Sequence, residues 1–262
     1  MVNLIKGIIF DLDGVITDTA KVHALAWKKT FDYLLKLRAS LNFSESYSPF
    51  NLDIDYPRYV DGKPREAGIV SFCKSRNIIL DEGDTEDIIE KGTLRGVANY
   101  KDKYFIELLE TKGVSVFSDF VEFFLRAEKI GLPMGVASSS KNCKLVLENV
   151  GLAKKFPVRV DGVVSKNMNL NGKPDPDIFL AAASLLGIPP HKTIIVEDAI
   201  SGVQAGERGN FGVVVGLARN IDKEALIKNG ADIAVETLYE LDFDTLNSML
   251  ANKVSREMKE AI

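Results

Sequence analysis

The sequence is short of cysteine, of net charge and of long apolar runs, and each shortage removes a class of protein. Only two cysteines, Cys73 and Cys143, occur in 262 residues. They lie far apart and in no metal-type or CxxC spacing, so neither a disulfide framework nor a thiolate metal site is expected, and both read as reduced, packed thiols. The formal charge of −4 at pH 7 gives no reason to expect binding to nucleic acid or to a membrane surface. A phosphorylated substrate would need a local basic pocket, because the mean field repels it slightly. No stretch approaches the length of a membrane span, and no apolar run follows a charged start. The expectation is a cytoplasmic monomer with no nucleic-acid or membrane partner. What is present is ordinary soluble composition, 46% apolar and 27% charged, in a chain long enough for one or two domains and a sizeable core.

Ile5 to Phe10 is a short apolar run that ends in an acidic, glycine-containing turn, the pattern of a buried strand in a parallel sheet. From about Ala20 to Leu37 the pattern is helical, with Leu25, Trp27, Phe31, Leu34 and Leu35 on one face. Residues 39–61 lose all periodicity and read as a loop or irregular lid. Pro64 suits a first helical position, and a helix to about Arg76 follows. Further helices are expected near 84–95 and 101–112. Beyond Gly113 the grammar changes. Leu132–Ala137, Arg159–Val164, Thr193–Val196, Gly212–Val215 and Ile233–Val235 are β-branched runs. Helical stretches at about 119–130, 141–149, 175–186, 199–208 and 222–229 separate them. That alternation predicts βαβ units and an α/β fold, a doubly wound, Rossmann-like parallel sheet. The expected domains are a core of 1–17 and 114–262 with an inserted all-helical cap of 18–113.

In an open α/β sheet, ligands bind outside the carboxyl ends of the strands. The first strand is followed there by Asp11 and Asp13, and the 132–137 strand by Ser138, Ser139, Ser140, Lys141 and Asn142. Lys173 lies in the loop after the 159–164 strand, and Glu197 and Asp198 follow the 193–196 strand. Carboxylates, hydroxyls and a lysine on one edge are what a hard divalent cation and a phosphate need together: oxygen ligands for the metal and donors for the phosphoryl oxygens. Asp11 and Asp13, two apart at a strand end, point the same way, and Gly14 permits a tight turn. An ionised carboxylate can attack phosphorus and form an aspartyl-phosphate, while a second carboxylate held protonated by its neighbour can serve as general acid–base. Each part also has a plainer reading. Asp-x-Asp-Gly makes turns and caps, a serine run caps helices, Lys173 can be a surface lysine in a turn, and Glu197-Asp198 can complement a helix dipole. Their order along the chain favours the functional reading.

Asp11-Leu12-Asp13-Gly14, Ser138-Ser139-Ser140, Gly172-Lys173-Pro174-Asp175-Pro176-Asp177 and Glu197-Asp198 with a following glycine resemble the four motifs of the haloacid dehalogenase-like phosphotransferases. Gly14-Val15-Ile16-Thr17-Asp18-Thr19-Ala20 with His23 and Trp27, and Ala137 to Asn142, look like the β-phosphoglucomutase family. The resemblance spans about residues 5–240. It implies Asp11 as nucleophile, Asp13 as acid–base, and Ser138 and Lys173 on the transferring phosphoryl group. It implies Mg²⁺ held by Asp11, the Asp13 carbonyl and Asp198, with Glu197 nearby. Gly62 and Arg65 resemble the cap segment that grips the distal phosphate, and Lys101 resembles the cap lysine. Ser140, Lys141 and Asn142 would serve that phosphate or the sugar. His23 would contact the acid–base and couple it to cap closure, with Trp27 beside it on the same helical face. The chain departs from the pattern in a longer 39–61 segment, in Ser139 where alanine is frequent, and around Lys101. Tyr59 to Arg65 resembles a subgroup associated with disaccharide phosphorylases.

The activity implied is conversion of β-D-glucose 1-phosphate to glucose 6-phosphate through glucose 1,6-bisphosphate. Such a reaction needs a second anion site, for which the planar fork of Arg65 is suited, and a cap that excludes water. A sugar-phosphate phosphatase built from the same parts is the alternative. A phospho-accepting signalling domain is the remote one, disfavoured by Asp13, the helical insert and Arg65.

Overall fold

The computed structural model describes residues 4–41 and 48–260. In chain order the strands are β1 (Gly7–Phe10), β2 (Met134–Ala137), β3 (Val158–Val160), β4 (Thr193–Glu197), β5 (Val213–Leu217) and β6 (Ile233–Val235). The helices are α1 (Ala20–Leu41), α2 (Arg65–Ser75), α3 (Leu94–Lys112), α4 (Ser118–Lys129), α5 (Cys143–Asn149), α6 (Gly162–Asn167), α7 (Asp177–Leu186), α8 (Ile200–Arg208), α9 (Lys223–Lys228) and α10 (Phe243–Glu260). The chain divides into two compact units, Met1–Asp18 with Ser115–Ile262, and Thr19–Val114. None of its described helices is long and apolar enough to cross a membrane.

The first unit is built on one six-stranded sheet in the order β3-β2-β1-β4-β5-β6, every pair parallel. Its central strands are apolar on both faces because both faces are covered. Side chains alternate across the sheet. Ile9 therefore belongs to one apolar cluster with Phe179 and Ala182 of α7, Val203 of α8 and Leu226 of α9. Its neighbour Phe10 turns the other way and meets the rings of Phe120 and Phe123 of α4 edge-on at 5.3 and 6.2 Å. Phe123 in turn stacks on Phe243 of α10 at 5.0 Å. Phe10 is fully buried, and burying a side chain of that size contributes on the order of 2–3 kcal/mol. The strand order runs outward in both directions from β1 and β4, so the switch point of the doubly wound sheet lies between them. Phe10 is in register with Val136 on one side and Val196 on the other. The residues that follow each of these therefore leave the sheet along one edge.

The second unit is helical, with no strand among its described residues. Trp27, Phe31, Phe50, Ile69, Phe72 and Val97 share its core, and Trp27 lies face to face with Phe31 at 5.1 Å.

Several sequence expectations need correction. The run expected as a strand over Arg159–Val164 is a strand only to Val160, because the Asp161 side chain accepts hydrogen bonds from the Val163 and Val164 amides and starts α6. The segment expected as a helix over 84–95 is mostly irregular up to Thr93, around a short 3₁₀ stretch, Ile89–Lys91. Asp87 explains this: it accepts from the Asp84 amide, the Thr93 hydroxyl and Lys91, local bonds that compete with a helix. Thr93 then caps α3, accepting from the Gly96 amide, so that helix starts seven residues before the expected 101. Within the expected loop 39–61, α1 continues to Leu41 and Tyr56–Val60 form one π-helical turn; residues 42–47 lie outside the described residues. The long helix α10 was not expected at all.

Candidate active site

The first unit's site grows from β1 and β4. Asp11 is the first residue beyond β1 and Glu197 the last of β4, and the register of the two strands places them side by side. Lys173, from the loop before α7, reaches between them. Its ammonium lies 2.5 Å from Asp11 Oδ1 and also donates to Glu197 Oε1. The Asp13 amide donates to Asp11 Oδ2 at 2.8 Å. All three charged groups are buried: Asp11 is 6% exposed, Lys173 3% and Glu197 0%.

Glu197 faces Asp11 across the Lys173 ammonium, and Asp13 lies near enough for its charge to act on Asp11. Burial, above all, pushes the Asp11 pKa up from 3.8 to about 8; Lys173 opposes the rise, and the charges on Glu197 and Asp13 add to it. Burial alone would pull the Lys173 pKa down, but Asp11 and Glu197 outweigh it and hold the ammonium well above its ordinary value. The cluster is thus a fixed positive charge beside a carboxyl group whose ionisation burial opposes.

Two glycines shape the cluster. Gly14 turns the chain at φ +85°, and a Cβ there would lie 1.8 Å from Asp198 Oδ2. The Asp198 carboxylate therefore sits directly against the turn that follows Asp13. Gly202, in the first turn of α8, lies under Glu197, where a Cβ would fall 1.8 Å from Oε1. The other Glu197 oxygen accepts from the Ala199 amide at 2.8 Å. Sequence reasoning noted the glycine after Glu197-Asp198 but not its purpose, which is to let α8 close over the glutamate.

Ser138 follows β2, one residue beyond the Ala137 that ends the strand. It is 1% exposed, and its hydroxyl accepts from the Ser140 amide at 3.1 Å. The Ser140 hydroxyl in turn accepts from the Asn142 amide at 3.2 Å. Lys141 and Asn142 lead into α5, where the Asn142 side chain makes no capping bond.

The remaining sequence candidates belong to the helical unit. His23 and Lys101 meet there: Lys101 Nζ lies 2.6 Å from His23 Nδ1. An ammonium can only donate, so Nδ1 accepts and the ring proton of a neutral His23 is on Nε2. Lys101 is 3% exposed and lies over the rings of Trp27 and Phe105 at 5.1 and 4.6 Å. Trp27 is a core residue of the helical unit, and the Lys101 ammonium is buried against His23. Gly62 occupies a turn at φ +67° ahead of α2. Arg65, at the start of α2, lies 3.1 Å from Asp102 and 3.6 Å from Glu66, and its Nε is buried without a hydrogen-bond partner among the described residues.

Among the described residues no cluster of three or more His, Cys, Asp or Glu side chains could hold a metal ion by itself. A small, hard divalent cation keeps several waters and takes one or two carboxylates together with phosphate oxygens. Asp11 and Asp198 are carboxylates at this edge that could meet such a cation, and a cation there would favour the ionised form of Asp11 that burial disfavours.

The chain matches the model of a haloacid dehalogenase-like hydrolase family over residues 5–210. A β-phosphoglucomutase of Mycobacterium tuberculosis is 42% identical over 240 residues, 90% of this chain and 91% of that one. A phosphorylated carbohydrates phosphatase of Thermotoga maritima is 29% identical over 229 residues, 86% of this chain and 92% of that one. Among solved structures, a β-phosphoglucomutase of Clostridium difficile is 25% identical with a TM-score of 0.73, over 96% of this chain and 99% of that one.

Proposed function

The chain belongs to the haloacid dehalogenase-like hydrolase family, and from that premise we propose that it is a β-phosphoglucomutase, interconverting β-D-glucose 1-phosphate and glucose 6-phosphate in the cytoplasm. What carries the reading is the buried Asp11, held by Lys173 where β1 and β4 part, in a chain similar to a β-phosphoglucomutase over most of its length.

The residues divide the work as follows. Starting from the Asp11-phosphate, Asp13 takes the proton of the sugar C6 hydroxyl as its oxygen attacks phosphorus, and the bond from phosphorus to Asp11 breaks. The product is glucose 1,6-bisphosphate. Once it has turned round, an Asp11 oxygen attacks the C1 phosphorus, the bond to the C1 oxygen breaks, and Asp13 returns the proton to that oxygen. One carboxylate thus splits a single difficult transfer into two easier ones, and the other moves a proton in each. Lys173 and Ser138 meet the charge on the moving phosphoryl group, a preorganised arrangement that needs no rearrangement during the reaction. Family membership brings a divalent metal, which we assign as Mg²⁺; Asp11, the Asp13 carbonyl and Asp198 would hold it, with Glu197 beside them. When bound it supplies charge neutralisation at the phosphoryl oxygens. In the helical unit, which we take as the cap, Gly62 and Arg65 take the second phosphate. His23, its tautomer set by Lys101, serves Asp13. Ser140, Lys141 and Asn142 take the distal end of the substrate.

A phosphatase is not favoured, since the phosphatase relative is the more distant one. The test is turnover of β-D-glucose 1-phosphate with and without added glucose 1,6-bisphosphate. Glucose 6-phosphate should form, faster with the bisphosphate, with little inorganic phosphate. Release of phosphate and glucose without isomerisation would refute the mutase reading.

A further inference from the structure

Beyond β5, at the same sheet edge, stands a charged group that neither the motifs nor the proposed mechanism uses. Arg219 donates through Nη2 to both oxygens of Asp119, each at 2.8 Å. Its Nε donates to the Gly14 carbonyl at 3.3 Å. Its guanidinium lies over the Phe117 ring, 4.0 Å from the centroid. Asp119 is 3% exposed and also accepts from the Leu238 amide at 2.8 Å, so it is locked in place and locks Arg219 in turn.

Besides the Glu236 carbonyl, which accepts from Nη1 at 3.5 Å, Arg219 touches the two segments by which the chain leaves and re-enters the first unit. Residues 12–18 lead out of it and 115–118 lead back. They are joined to each other by a bridge between Thr17 and Val116 and by bonds from the Asp18 amide to the Ser115 carbonyl and from the Phe117 amide to the Ile16 carbonyl. Arg219 thus fixes both at their base. On the outgoing segment it holds the Gly14–Val15 peptide, and Gly14 is the residue whose missing Cβ leaves room for the Asp198 carboxylate.

We propose that Arg219 is a positioning residue: by anchoring the Gly14 turn and Phe117 to Asp119, it sets the spacing between the Asp13 backbone and Asp198 on which a divalent cation depends. It touches neither substrate nor metal. A plain structural ion pair would need only the charge opposite Asp119. One nitrogen, Nη2, serves both Asp119 oxygens while Nε on the other side of the plane reaches the Gly14 carbonyl, a spread of rigidly held donors that a point ammonium does not supply. The metal itself rests on the phosphoryl-transfer reading; the contribution of Arg219 to cation binding can be measured apart from it.

The test compares the parent protein with Arg219→Lys, which keeps a cation opposite Asp119 but cannot reach Asp119 and the Gly14 carbonyl together. Calorimetric titration with Mg²⁺ alone, without sugar phosphate, is the deciding readout, with thermal unfolding of the metal-free proteins as control. Arg219→Lys should unfold cooperatively and bind Mg²⁺ roughly 10–100-fold more weakly, the range seen when a group supporting a metal ligand is lost. Unchanged Mg²⁺ affinity in a cooperatively folded Arg219→Lys overturns the proposal. If that variant does not fold, Asp119→Asn decides, because it keeps an acceptor for the Leu238 amide and loosens only the guanidinium. Weakened Mg²⁺ binding there supports the proposal and parental affinity overturns it. A parent that binds Mg²⁺ but lacks mutase turnover would contradict the assigned activity and leave this comparison valid.

Discussion

Lys173→Met is expected to lose turnover by on the order of 10²–10³-fold or more, the range for deleting one preorganised group that stabilises developing charge, and to unfold at a markedly lower temperature. The two effects share one cause. The ammonium lies between Asp11 and Glu197, and all three groups are buried. Methionine removes the ammonium that both buried carboxyl groups share and leaves Glu197 without its counter-charge, and removing one partner of a buried ion pair costs about 3–5 kcal/mol. At about 2–4 °C per kcal/mol for a chain of this size, the thermal midpoint of the metal-free protein should fall by roughly 6–20 °C. Circular dichroism melting curves and initial rates measure the two quantities on one preparation. Adding Glu197→Gln to Lys173→Met should return part of the lost midpoint, because one uncompensated charge goes, and none of the lost rate. A Lys173→Met protein with parental melting would mean that the buried cluster is not held as described.

Asp11→Asn should be inactive, with turnover reduced on the order of 10⁴-fold or more as for other lost nucleophiles, yet at least as stable as the parent. Burial, with Glu197 and Asp13 adding to it, raises the Asp11 pKa from 3.8 to about 8. Below about pH 4 the acid is protonated in both folded and unfolded chains, and it costs the folded state nothing. As pH rises toward about 8 the unfolded chain releases that proton while the folded one retains it, so the folded state loses ground. Asparagine has no such proton. In metal-free buffer the midpoint of Asp11→Asn relative to the parent should therefore climb between pH 4 and pH 8 and level off above. A constant difference across that window would contradict the raised pKa. A stable, inactive variant is the pattern expected where a site is kept at the expense of the fold.

Much of this was legible in the residues, and the division between legible and hidden has a physical basis. The parallel sheet announced itself because strands buried on both faces read as unbroken apolar runs, Gly7–Phe10 and residues 194–196 among them. Once those strands were in place, whatever followed them had to share an edge, which is why Asp11, Lys173 and Glu197 could be grouped before any distance was known. Asp161 ended β3 early because a single carboxylate can satisfy two amides at a helix start, a local bond that β-branched composition cannot foretell. Asp87 broke the expected 84–95 helix in the same way. Trp27 was ambiguous because a helical stripe does not say whether its partner is a protein core or a sugar; the stack on Phe31 decides for the core. Lys101 reads as a free charge in any sequence, and only the structure brings it to 2.6 Å from His23. Arg219 was hidden for a related reason. Its partners Gly14, Phe117 and Asp119 are distant in sequence and converge only through the topology of the first unit.

The central claim is that Asp11 itself carries the phosphoryl group between the two halves of the reaction. The most direct measurement is to mix the protein with Mg²⁺ and glucose 1,6-bisphosphate, quench in acid, digest, and weigh the peptides. The account predicts that the peptide containing Asp11 gains the mass of one phosphoryl group, that fragmentation places the group on Asp11, and that β-D-glucose 1-phosphate added before the quench removes it as bisphosphate forms. A phosphoryl group on any other residue, or none at all while isomerisation proceeds, would contradict it.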